Sequence, residues 1–225
     1  MTTWNRIWRL ALWSGIVASA TASRRHGRFP TTWVVHLVGN SFLLWLPEIY
    51  TGLSSALKLD DRLDDRGGSL LTVHELIKEL IVENSTYAVY VTPVALGVIA
   101  AHPGIDIYKS EWAQKQLFGM GLDSIPHATT ALALTEMVFD GLDMPAARRG
   151  FPAARGRAAA ISAAVLAGVT LFYETGEFLI HNSELKGARN DPSRLAMEWS
   201  LPDSIEDAFS NLVGWAAAVL AREKR

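Results

Sequence analysis

The sequence predicts an all-α, polytopic transmembrane helical bundle with about five to six spanning helices, and three observations carry that expectation. Charged residues make up 20% of the 225 positions and hydrophobic ones 49%, with a mean hydropathy of +0.15; a soluble domain usually carries nearer a quarter charged residues, so about a quarter is the reference. Uncharged runs recur at helix spacing: Phe29 to Pro47, Asn84 to Ile105, Ala158 to Tyr173 and Ala208 to Ala221. Their ends carry tryptophan and basic residues, as helix ends do at a bilayer interface. The whole chain, 1–225, then reads as a single integral-membrane helical domain.

Residues 1–22 imitate a signal peptide, with basic residues, an apolar core, and small residues at Ala18, Ala20 and Ala22. Because hydrophobic segments follow, they read instead as an uncleaved first helix, spanning or lying in the interface with Trp4, Trp8 and Trp13. Further spans are expected near 31–51, 84–102, 119–143, 158–181 and 203–221, with 70–83 as an amphipathic extension or short helix. The loop Pro145 to Arg157 has four arginines and no acid, and the tail AREKR is basic, so both are expected to be cytoplasmic. Residues 177–202 then form an outer loop. The cluster SRRHGR at 23–28 breaks the rule if the first helix spans. The expected location is the bacterial inner membrane, multi-pass, with lipids and possible further membrane subunits as partners.

A net charge of −2 marks no nucleic-acid binder. With no cysteine there is no disulfide framework, no thiolate metal site and no cysteine nucleophile. Histidine and carboxylate remain as protein ligands for a metal.

Three polar groups interrupt the apolar pattern. Glu174, Glu177 and His181 are three and four residues apart, so one helix face displays them all. Asp203, Glu206, Asp207 and Asn211 line one stripe of the last segment. Asp123 and His127 are four apart, with Pro126 in a first helical turn, where a missing amide costs little. Each has a plain structural reading: a first-turn carboxylate caps its helix, and a glutamate four before a histidine is a solvated pair. Together, at one expected depth, they read as one site, because ionisable groups in hydrocarbon face the bundle interior. Facing carboxylates raise one another's pKa unless a cation neutralises them. The expected metal ligands are Asp123, His127, Glu177, His181, Asp203 and Asp207, and the expected catalytic groups His127, Glu174 and Asp207. Carboxylate with imidazole suits Zn, Mn or Fe, and carboxylate with water suits Mg, Ca or Mn. The spacing E-x-x-E-x-x-x-H lacks the E-x-x-H pair of ferritin-like di-iron bundles.

Other polar positions read as packing or solvent features. Glu136 is expected to face away from His127, and Asp140 and Asp143 to cap or balance the arginine loop. Glu75, Glu79 and Glu83, beside His74 and Lys78, read as a solvated amphipathic face, and KLDDRLDDRGG as a polar loop. His102 and Asp106 end a segment at comparable depth and are candidates to join the site.

The segments GLDSIPHATTALALTE, ETGEF and NDPSRLAMEWSLPDSIEDAFSNLVG resemble the YjdF-type family of bacterial inner-membrane proteins and, more distantly, VanZ-like membrane proteins. The resemblance covers roughly residues 119–214 and rests on Asp123, His127, Glu174, Glu177, Asp203, Asp207, Asn211 and Gly214. It implies a small polytopic membrane protein and supplies no reaction. The leading functional expectation is a membrane-embedded, metal-dependent hydrolase or transferase acting on a lipid-linked or phosphorylated substrate, with Arg189 and Arg194 holding an anionic head group. Two alternatives stand beside it: an accessory subunit of a larger membrane complex, and a proton or cation transporter.

Overall fold

The computed structural model describes residues 2–60, 69–108, 111, 115–117, 120–148, 155–189, 191, 195 and 199–223. Helix α1 (Thr3–Arg25) starts at Thr2, whose hydroxyl accepts from the Asn5 amide at 3.3 Å. Helix α2 (Pro30–Leu57) carries Pro30 in its first turn, where no amide is needed, and stops at Lys58 in a left-handed conformation, φ 50°. Helix α3 (Ser69–Ile77) widens into a π-helical turn over Lys78–Glu83. Asn84 Oδ1 then accepts from the Thr86 amide at 2.8 Å and starts α4 (Tyr87–Ala100). Strand β1 (Gln116–Leu117) pairs antiparallel with β2 (Met120–Gly121). Helices α5 (Ser124–Arg148), α6 (Arg155–Gly187) and α7 (Leu201–Glu223) complete the chain.

The N-terminal helices pack around Leu12, Ile16, Leu44, Tyr87, Val91, Ala95 and Val98, which come from α1, α2 and α4. The buried stripe of α1 mixes Leu12 and Ile16 with Asn5 and Arg9. Arg9 is wholly buried; it pairs with Glu48 through both carboxylate oxygens, at 2.7 and 2.6 Å, and its Nε donates to Asn5 Oδ1 at 3.1 Å. Burial would push the Glu48 carboxyl up, but the adjacent guanidinium outweighs it and holds it below its ordinary value.

The C-terminal helices are built on α5. Its tightest neighbour is α7: a Cβ at Gly214 would stand 2.0 Å from the Ala128 carbonyl oxygen, so only glycine fits there. Trp215 Nε1 donates to Ser162 Oγ at 3.0 Å, and Asn211 Nδ2 to Thr170 Oγ1 at 3.1 Å, which hold α6 against α7. At the far end, Arg222 of α7 lies among Glu136, Asp140 and Asp143 of α5, bonding Glu136 Oε2 through Nε at 2.8 Å. Glu136 meets α7 through Arg222, as His127 meets it through Asp207, and Asp140 and Asp143, expected to balance the arginine loop, meet Arg222 too.

The expected five to six spans are not what the described residues form. One helix, Gly156–Gly187, is long and apolar enough to cross a membrane by length and composition, and α4 has 14 residues, below spanning length. The other long helices interrupt their apolar runs with charges that serve helix packing, as Arg9–Glu48 and Arg222–Glu136 do. Of the first 22 residues, those from Thr3 on likewise belong to a helix docked on α2 and α4. Trp8 Nε1 donates to Thr92 Oγ1 at 2.8 Å and Trp13 Nε1 to Ser41 Oγ at 3.0 Å, so two tryptophans expected at a lipid interface make tertiary contacts. The multi-pass fold, the inner-membrane location, the lipid partners and the membrane-subunit assembly are corrected with it: the helices pack on one another through long-range contacts as a bundle. Asp106 is paired with Arg28. The acidic run at 61–68, Arg194 and the centre of the arginine loop fall outside the described residues.

Candidate metal centre

Helix spacing brings Glu174 and Glu177 onto one face of α6, and Asp207 faces them from α7. Each offers one carboxylate oxygen, and the three oxygens lie within 4.8 Å of one another. A divalent ion with bonds of about 2.1 to 2.4 Å holds oxygens roughly 3 to 4.8 Å apart, according to whether they are adjacent or opposite. The cluster therefore fits a single ion with little movement. Asp207 is 5% exposed, and the two glutamates are half-buried.

The electrostatics follow from that crowding. Burial pushes the Glu177 carboxyl up to about 8, and the charges of Glu174 and Asp203 add to it. Burial likewise raises Asp207 to about 8, with Asp203, Glu177, Glu174 and Asp123 contributing. His127 Nε2 lies 3.2 Å from Asp207 Oδ1. Burial holds this imidazole below its ordinary value, against the pull of Asp123 and Glu174, so at neutral pH it brings no positive charge to the cluster.

The supporting contacts fix Glu174. Its Oε2 accepts from Trp199 Nε1 at 3.3 Å and from the Ser204 hydroxyl. Neither residue belonged to the expected site. Ser204 had a signal in the sequence, lying three before Asp207 on the same stripe of α7; Trp199 had none.

The expected site residues divide by position. Glu174, Glu177 and Asp207 come together, with His127 against Asp207. Asp123 and Asp203 act on the cluster through their charge, and Asp123 Oδ1 accepts from the Ser124 amide at 2.9 Å. His181 lies one turn beyond Glu177, where its Nδ1 accepts from the Trp199 amide at 3.3 Å. Glu206 turns to β2, accepting from the Gly121 amide at 3.0 Å.

What this arrangement can do is bind a divalent metal through three carboxylates. The membrane-embedded hydrolase or transferase, its lipid-linked substrate, and the membrane-subunit and transporter alternatives lose their basis, because they required a set of spanning helices and the described residues contain one candidate. The likeness to YjdF-type and VanZ-like proteins falls for the same reason, since it implied a multi-pass fold. No family model, curated protein or solved structure matches this chain.

Proposed function

We propose that this protein binds one divalent cation between α6 and α7, with Glu174, Glu177 and Asp207 as ligands. The carrying observation is the convergence of three carboxylate oxygens within 4.8 Å, two of them on groups whose proton affinity burial and mutual repulsion have raised. An all-oxygen donor set favours a hard ion, so Mg²⁺ or Mn²⁺ suits the cluster better than Zn²⁺ or Fe²⁺. Ser204 and Trp199 orient Glu174, as outer hydrogen bonds orient metal-binding carboxylates. His127 Nε2, 3.2 Å from Asp207 Oδ1, is placed as a neutral imidazole to orient that carboxylate. Asp123 and Asp203 add negative potential that attracts a cation.

Metal analysis and calorimetric titration of the purified chain with Mn²⁺ test the reading. One equivalent is expected, bound with proton release, lost in Glu177→Gln and Asp207→Asn and kept in Glu75→Gln, an exposed site on α3. No saturable binding by the folded wild-type chain would refute it.

A further inference from the structure

Away from the acidic cluster, three side chains from separate parts of the fold form a phenol–imidazole–carboxylate chain. Tyr50 lies near the end of α2, and its hydroxyl stands 2.6 Å from His74 Nδ1 on α3. His74 Nε2 lies 3.0 Å from Asp60 Oδ1, and Lys78 Nζ reaches the same oxygen at 3.2 Å. Asp60 accepts only, so the imidazole proton belongs on Nε2 and Nδ1 is left with its lone pair facing the phenol. His74 is 4% exposed and held by contacts on both nitrogens, which fixes the ring plane. Tyr50 is half-buried.

A nucleophile on a base that a carboxylate orients is the arrangement that activates weak hydroxyl nucleophiles. We infer that Tyr50 is a base-activated phenol that takes an acyl group from a small activated ester, with His74 as general base and Asp60 as positioning residue. The phenol oxygen attacks the ester carbonyl, and its proton passes to His74 Nδ1. Collapse of the tetrahedral adduct expels the leaving alcohol, which recovers that proton, and leaves an aryl ester on Tyr50. No oxidant, reductant or further reactant enters the balance. Lys78 neutralises Asp60 from the other side, so Asp60 orients the ring without drawing the Nε2 proton away. Burial and the charge of Asp60 hold the Tyr50 phenol above its ordinary value, so no standing phenolate is present and the base must act during attack.

The test is acylation of the full chain by 4-nitrophenyl acetate, followed by nitrophenolate release and by peptide mass mapping. A burst of one equivalent and an acetyl group on Tyr50 are expected. The burst disappears in Tyr50→Phe, which keeps the ring. Asp60→Asn, at a largely exposed position that leaves the fold intact, is expected to slow it at least tenfold, and His74→Gln further. The inference is overturned if Tyr50 is not acetylated, or if wild type and Asp60→Asn acetylate Tyr50 no faster than N-acetyltyrosine amide.

Discussion

Removing cations and raising the pH separates a metal-binding cluster from a merely structural one. Without an ion, Asp207 titrates at about 8 instead of its ordinary 3.8, and Glu177 at about 8 instead of 4.5. The unfolded chain releases these protons near their ordinary values, and the folded chain keeps them until about pH 8. Folded protein therefore binds more protons across this window, and stability is fully present below about pH 4 and lost as pH rises through 8. Each pH unit inside the window costs about 1.4 kcal/mol per group. From pH 5 to pH 8 Asp207 alone loses about 4 kcal/mol on that scale. Glu177 taken singly would match it, but the two raise one another, and Glu177 is partly open to solvent, so the pair is expected to lose about 4 kcal/mol in all. Urea unfolding followed by tryptophan fluorescence, in chelator, reads this as a falling midpoint at constant slope. Mn²⁺ at a hundred times its dissociation constant is expected to restore about 2.7 kcal/mol at pH 8. Asp207→Asn is expected to flatten the pH dependence. Stability that is constant or rises from pH 5 to pH 8 in chelator would refute the reasoning.

Two further substitutions probe the packing that carries the cluster. Gly214→Ala puts a methyl group 2.0 Å from the Ala128 carbonyl and forces α7 off α5, an expected loss of about 3 kcal/mol by chemical denaturation; Gly168→Ala, where the space is open, is expected to gain up to about 1 kcal/mol. Arg9→Met leaves Glu48 and the Leu44 carbonyl without their buried donor, and is expected to cost about 3 to 5 kcal/mol, part of it recovered by adding Glu48→Gln; a loss below about 1 kcal/mol would show the pair to be dispensable.

Helix positions were legible because apolar spacing reports burial of a helix face. The segments expected at 84–102, 119–143, 158–181 and 203–221 overlie α4, α5, α6 and α7. What the spacing does not report is what covers that face. A run such as Asn84 to Ile105 packs equally well against lipid tails or other helices, and here Tyr87, Val91, Ala95 and Val98 meet α1 and α2. The charges that break the runs decide between these environments through their partners, and those lie far along the chain. Arg9 meets Glu48 across 39 positions and Arg222 meets Glu136 across 86, so neither pairing leaves a local pattern.

The same distinction explains which site residues could be read. Glu174 and Glu177 lie within one turn of a single helix, and helical spacing alone puts them on one face. Asp207 joined them in the reading because its own stripe carries Asp203 and Glu206, yet those two neighbours diverge: Glu206 turns to the Gly121 amide, while Asp207 turns inward. A stripe is about a third of a helix circumference wide, and residues at its two edges meet different neighbours. Tyr50, His74 and Asp60 show the opposite limit. They are 24 and 14 positions apart, on segments with no shared period, and His74 beside lysine and glutamates resembles a solvated face. Only the fold of α3 against α2 turns that histidine inward, onto a phenol at 2.6 Å, so its chemistry is a property of the packing rather than of any motif.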